Sequence, residues 1–251
     1  MPGHTESGSR AVITGQDARH IVRVLRLGPG DEIEVVDGTG AERRGLITWA
    51  ASDEVQLTLA EGNDVCREPS VFISLLQGVP KGDKMDEVIR RNTEVGVGRF
   101  VPVVTERTVA RPDPTAAPRR VERWRRIARE AAKQSGRQRV PDVLDIMSFQ
   151  EALAFIRLSA EACAGEGDDH LTIMPWELER SRGIREVLRE RSGARDIFVL
   201  IGPEGGFSRE EVGQAVECGA VTCGLGPRIL RTETAGLVVA SVILYEAGEM
   251  C

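Results

Sequence analysis

The chain has 251 residues, a formal net charge of −6, 41% hydrophobic and 29% charged residues, the composition of a globular protein long enough to bury a core. Disorder, collagen-like repetition and coiled coil are excluded, and the longest apolar run, Ala235 to Tyr245, is too short for a membrane span and is broken by Gly236 and Ser241. Five scattered cysteines, without CxxC spacing, argue for free thiols in a reducing cytoplasm, not for a disulfide framework or zinc site.

The N-terminus, MPGHTESGSR, is polar and is not read as a secretory signal. Ala11 to Thr14 reads as a short strand. Gln16 to Leu27 reads as an amphipathic helix, with Ile21, Val24 and Leu25 on one side and Arg19, Arg23 and Arg26 largely on the other. Glu32 to Val36 alternates like a strand, and Leu46 to Trp49 and Val55 to Leu59 supply two more. Short strands at this spacing predict a small barrel over residues 1–66. The polar stretch Glu61 to Pro69 is a domain boundary.

The rhythm then changes. Val71 to Leu76 is apolar without alternation, as in a strand buried on both faces. Asp83 is placed to cap a helix running to Glu94, and Phe100 to Val104 reads as a second strand. Arg119 to Ser135 predicts a basic helix whose apolar side carries Val121, Trp124, Ile127, Ala128 and Ala131. Ser148–Glu151 and Ser208–Glu211 are capping boxes that open helices. Strands are predicted at Glu161–Ala164, Asp196–Ile201 and Val221–Leu225, and a last helix at Thr232–Tyr245. This alternation predicts an α/β domain over 70–251 with a mostly parallel sheet covered on both faces. Leu237, Val238, Val239, Val242, Ile243 and Leu244 cover too much of the last helix for one wet face, so it packs in a core or against a second subunit.

Between Arg107 and Arg139 eleven Lys/Arg face three acids, a local charge of +8 that leaves −14 for the rest of the chain. Such a run is either a solvated helix face or a patch for phosphate groups.

Two glycine-rich segments follow strands of the second domain: Ile201-Gly-Pro-Glu-Gly-Gly-Phe-Ser and Gly224-Leu-Gly-Pro-Arg-Ile-Leu-Arg-Thr-Glu-Thr. Ligands of open α/β sheets sit beyond the carboxyl ends of strands, and glycine lets the backbone approach them. Neither segment is a dinucleotide fingerprint or a Walker loop, so a small cofactor held largely by backbone groups fits better. Arg228, Arg231 and Glu233 place three charges within six residues of the second segment. They either pair with one another or serve chemistry.

LLQGVPKGDKMDEVIRRNTEVGV, IGPEGGFS, LGPRILRTETA, EAAKQSGRQRVPDV and ARHIVRVLRLGPGDEIEVVDG resemble the 16S ribosomal RNA uracil-N3 methyltransferases, members of the SPOUT superfamily of knotted methyltransferases. The resemblance spans nearly the whole chain. It implies an N-terminal PUA-like RNA-binding barrel, a C-terminal α/β domain ending in a deep trefoil knot, S-adenosylmethionine as methyl donor and a homodimer. It also implies a uridine of small-subunit rRNA, within the assembled or nearly assembled subunit, as acceptor. No metal and no membrane are implied. Relatives begin with an apolar strand where this chain has MPGHTESGSR, which puts closure of the barrel in question.

Carried onto matching positions, the resemblance places the cofactor against Leu200, Ile201, Gly202, Glu204 and Gly206 of one loop and Leu225, Gly226, Ile229 and Leu230 of the other. Ala164, Gly165 and Glu166 form a further wall. Glu204 contacts the ligand or holds its loop. Uracil N3 becomes nucleophilic only when its proton leaves, and a guanidinium stabilises the resulting anion. Arg231 and Arg228 are the candidates, and Glu233 orients one of them, takes the proton, or makes a purely structural pair. RNA is expected to meet Gln134, Arg137 and Arg139 at the end of the basic helix, Lys81 and Lys84, and His20, Arg23 and Arg26 of the N-terminal module. A catalytically inactive RNA-binding assembly factor of the same fold is the competing reading, against which the intact glycines and the full RILRTET run speak.

Overall fold

The computed structural model describes residues 9–36, 42–60, 68–109, 111, 113, 115–163 and 170–250. Two compact units divide the chain, Met1–Arg67 and Glu68–Cys251.

In the first unit, strands β1 (Arg10–Thr14), β2 (Glu32–Val36), β3 (Glu42–Ala50) and β4 (Glu54–Leu59) form an antiparallel sheet in the order β1-β4-β3-β2. β1 is present and in register with β4 from Arg10↔Thr58 to Thr14↔Glu54. The sheet curls over Ala18, Ile21, Ile47, Val55 and Leu57; among the described residues β1 and β2 remain its edges, a half-barrel rather than a closed barrel. The predicted helix is split. Helix α1 (Gln16–Arg19) gives way to a π-helical turn, His20–Val24, marked by the Leu25 N–H to His20 carbonyl bond of 3.0 Å. The wider winding turns Val24 and Leu25 outward, 64% and 52% exposed, so only Ile21 of the expected apolar side is buried.

The second unit is a parallel sheet ordered β11-β9-β10-β5-β6-β7, with β8 also paired to β6. Its strands are β5 (Phe72–Gly78), β6 (Arg99–Val104), β7 (Asp142–Val143), β8 (Met147–Ser148), β9 (His170–Pro175), β10 (Asp196–Ile201) and β11 (Val221–Cys223). The helices are α2 (Lys84–Val95), α3 (Ala117–Gln134), α4 (Phe149–Cys163), α5 (Ile184–Glu190), α6 (Arg209–Glu217) and α7 (Thr232–Glu246).

Strand alternation sorts the core into two layers. Ile73, Leu75, Ile197, Val199 and Ile201 pack with α2, α3, α5 and α7 through Ile89, Trp124, Val187 and Ile243. Leu76, Phe198 and Leu200 pack on the other face with α4 and α6 through Phe149, Ile156 and Val212. The sheet is thus covered by helices on both faces, as the run of apolar strands requires.

Two local expectations change. Glu161–Cys163 is the end of α4, not a strand, because the Ser148–Glu151 box starts a helix that runs for fifteen residues. The strand that fills this place is β9, between β10 and β11. Asp83 precedes α2 but makes no side-chain cap; its carboxylate turns to Arg123 of α3, 3.4 Å away. Among the described residues no helix is long and apolar enough to cross a membrane.

Candidate functional site

The carboxyl ends of β9, β10 and β11 open onto a cavity of about 1090 Å3. Three loops form its walls. Gly202 to Phe207 follow β10, Gly224 to Arg231 follow β11, and Trp176 to Gly183 follow β9.

Hydrogen bonds fix each loop. The third is pinned to β11 at both ends: the Trp176 N–H donates to the Cys223 carbonyl at 3.0 Å and the Gly224 N–H to the Arg182 carbonyl at 2.8 Å. Glu179 adds a side-chain tie. Its carboxylate accepts from the Ser181 hydroxyl and amide at 2.6 and 2.8 Å and from the Thr222 hydroxyl at 3.0 Å. The Ser181 bonds above all hold its pKa down at about 2. The loop after β10 is tied to the start of α7. The Thr232 hydroxyl donates to the Gly202 carbonyl at 2.6 Å and accepts from Gln77 Nε2 at 2.8 Å, both side chains being buried. At the end of β5, Gly78 lies so close to this loop that a Cβ would come within 2.6 Å of Pro203 N. Only glycine tolerates that approach.

A charged cluster closes the α2 side. Lys84 Nζ lies 2.9 Å from Glu204 Oε1 and 3.6 Å from Glu233 Oε2, and Arg231 Nη1 lies 4.0 Å from Glu233 Oε1. The Glu204 hydrogen bond raises the Lys84 ammonium above its ordinary value. Burial alone would raise the Glu204 carboxyl, but Lys84 and the Lys81 amide hold it below the usual carboxylate range. Glu233 is largely buried, and its Oε2 has no hydrogen-bond partner.

A family model described as an RNA methyltransferase domain matches residues 67–244, and one described as an RNA methyltransferase PUA domain matches residues 13–60. The chain belongs to this RNA methyltransferase family. A Bacillus subtilis relative named ribosomal RNA small subunit methyltransferase E is 35% identical over 93% of this chain and 89% of its own. A crystal structure of a hypothetical protein shares 33% identity at TM-score 0.83, covering 96% of this chain and 93% of its own. A ribosomal RNA small subunit methyltransferase E from Neisseria gonorrhoeae, solved bound to S-adenosyl methionine, shares 29% identity at TM-score 0.80, covering 98% and 95%.

In this methyltransferase Ile201, Gly202, Glu204, Gly206, Leu225, Gly226, Ile229 and Leu230 all line the cavity, as do Arg228, Arg231 and Glu233. Leu200 does not: alternation turns its side chain to the α4/α6 face, where it is 1% exposed. Ala164, Gly165 and Glu166 lie outside the described residues; among the described residues the further wall is the Trp176–Gly183 loop. Its signal was the apolar run His170–Pro175, which sits just before a Trp and a charged turn.

The candidate RNA contacts separate. His20, Arg23, Arg26, Lys81, Gln134 and Arg139 are exposed. Lys84 belongs to the cavity. Arg137 is spent inside the fold. Its side chain is 7% exposed, pairs with Glu68 through Nη2 at 2.5 Å, and donates to the carbonyls of Thr93 and Val97 at 3.2 and 2.6 Å. The basic helix is also less free than its charge suggests. Arg123 pairs with Asp83 and Asp86, Arg125 with Asp145 at 3.1 Å, and Arg129 with Glu122 at 3.3 Å.

Proposed function

We propose that the protein methylates N3 of a specific uridine in 16S ribosomal RNA, using S-adenosylmethionine. The observation that carries this reading is a cavity at the strand ends which joins a glycine-lined, partly apolar cleft to a carboxylate–guanidinium pair. The cleft suits the donor chemically. Ile201, Leu225 and Leu230 can flank an adenine ring, backbone groups of the Gly202 and Gly226 loops can read its edge, and the carboxylates of Glu177 and Glu204 can face the positive charges of the donor. The relatives named small subunit methyltransferase E, one of them solved with S-adenosyl methionine, support both acceptor and donor.

When bound, S-adenosylmethionine supplies an electrophilic methyl group and takes the C–S electron pair onto sulfur. The protein prepares the acceptor. Glu233 Oε2, buried and without a hydrogen bond, takes the N3 proton. Arg231, with its side chain 84% exposed beside Glu233, stabilises the charge that spreads onto the flanking oxygens. Arg228 on the same rim holds the nucleotide against the cleft.

The N-terminal module presents His20, Arg23 and Arg26, and the second unit presents Lys81, Gln134 and Arg139. Two basic faces suit a structured RNA in the assembled or nearly assembled small subunit. The half-exposed Leu237, Val238 and Val242 of α7 support a homodimer. Family membership supports a SPOUT domain with a trefoil knot, and the rRNA substrate a cytoplasmic protein. The test is methyl transfer from labelled S-adenosylmethionine to small subunits from cells lacking the endogenous enzyme, with nucleoside analysis. The expected product is 3-methyluridine, formed about 100-fold more slowly or worse by Arg231→Ala with donor binding retained. Absence of donor binding would instead favour an inactive assembly factor.

A further inference from the structure

Beside the donor cleft, at the start of α2, lies a second cavity of about 540 Å3. Lys84, Arg231 and Glu233 line both cavities, and Asp83, Asp86, Glu87 and Arg90 complete the second. Its charges are unequally committed. Asp83 and Asp86 are met by Arg123, and Glu87 by Arg91 at 3.2 Å. Four carboxylates against three cations make the cavity a poor site for phosphate. With three of those carboxylates met from outside, the groups left facing it are Glu233, Arg231, Lys84, whose ammonium gives one N–H to Glu204 at 2.9 Å and keeps two more, and Arg90, for which no ion pair is found among the described residues.

The flanked carboxylate has an order. Lys84 Nζ lies 3.6 Å from one Glu233 oxygen and Arg231 Nη1 4.0 Å from the other. The wall therefore presents donor, acceptor, donor. The Watson–Crick edge of uracil presents the complement: carbonyl O2, N3–H, carbonyl O4. Cytosine presents O2, an unprotonated N3 and an amino group, which sets a lone pair against the carboxylate and an N–H against a cation. A buried polar group left facing a like group loses far more than a missing contact does.

We propose that this second cavity receives the target base edge-on, and that Lys84, Glu233 and Arg231 together select uracil against cytosine. Lys84 is then a specificity residue rather than a backbone contact, and Arg90 secures the nucleotide at the mouth. The inference rests on the uridine-N3 reading and deepens it. Cytosine makes the test sharp, because its N3 already has a free lone pair and is chemically the easier acceptor. Failure of the enzyme on cytidine therefore reports recognition rather than chemistry.

The experiment uses the full chain and small subunits carrying either uridine or cytidine at the mapped position. Subunit binding is measured with S-adenosylhomocysteine present, and methyl transfer separately. The wild type is expected to bind the cytidine subunit about 100-fold more weakly, the order of two mismatched polar contacts, and to leave it unmethylated. Glu233→Gln can turn its amide N–H toward cytosine N3 but leaves the amino group facing a cation, so it is expected to narrow the preference for the uridine subunit about 10-fold without abolishing it. It then forms 3-methylcytidine: N3 bonds to the methyl carbon, the C–S pair passes to sulfur, and the base takes up the positive charge. Arg90→Ala is expected to raise KM for subunits with kcat and donor affinity held. Equal wild-type binding and methylation of both subunits, or unchanged discrimination in Glu233→Gln and unchanged KM in Arg90→Ala, would overturn the proposal. A wild-type product other than 3-methyluridine on the uridine subunit would instead overturn the parent reading.

Discussion

Replacing Thr232 with valine removes one hydroxyl and almost no volume. That hydroxyl joins Gln77 at the end of β5, the Gly202 carbonyl in the loop after β10, and the first turn of α7. Without it the Gly202 carbonyl loses its donor and one Gln77 N–H its acceptor, in a site where Gln77 is 0% and Thr232 6% exposed. Each orphaned neutral group costs roughly 1–1.5 kcal/mol, so Thr232→Val should lose about 2–3 kcal/mol. For a unit of this size that is about 5–10 °C in Tm. Thr232→Ser keeps the hydroxyl and should lose less than half as much. Because the Gly202 loop lines the donor cleft, S-adenosylmethionine affinity should also fall severalfold in the valine variant and recover in the serine one. Calorimetry of unfolding and of donor binding measures both. Equal stability of Thr232→Val and wild type, or equal loss in serine and valine variants, would refute the argument that this hydroxyl ties the cleft together.

Two further outcomes follow from contacts far apart in sequence. Burial raises the Glu68 carboxyl, but its pair with Arg137 and the amides of Gln138 and Arg139 bring it below the usual carboxylate range. A lowered folded-state value means the stabilisation is present above the unfolded carboxylate value and lost as pH falls below it through the folded one. Glu68→Gln should cost about 2 kcal/mol at neutral pH and flatten the acid limb of a stability–pH profile. An unchanged profile would remove Glu68 from the account. Gly78→Ala should fail to give soluble protein or lower Tm by more than 10 °C, on the order of a severe core clash, because its Cβ would meet backbone at 2.6 Å. A Tm within about 2 °C of wild type would contradict that approach.

The readings that held were those whose cause lies within a few residues. The Ser148 and Ser208 boxes open helices because each hydroxyl reaches the amide three residues on, at 3.2 Å in both. The strands with uninterrupted apolar runs, such as Ile197–Ile201, are buried on both faces because nothing in those runs prefers water. Where a helix ran on, as at Glu161–Cys163, a strand was misplaced on its last turn and β9 beyond it was missed. The π-turn at His20 likewise overrode an amphipathic pattern, since a change of winding moves side chains without changing their order.

Sequence by itself therefore determined the half-barrel strands, the alternating α/β order, and the two glycine loops with Arg228, Arg231 and Glu233. Only the tertiary structure decided what each charge does. Lys84 meets Glu204 across 120 positions and Arg137 meets Glu68 across 69, so one cation enters the cleft and the other is consumed in the fold. The third wall arises in the same way, from a loop held to β11 by backbone bonds. A side chain's partners depend on which strand ends the sheet brings together, and strand order is set by packing both faces of the whole sheet, not by any local pattern.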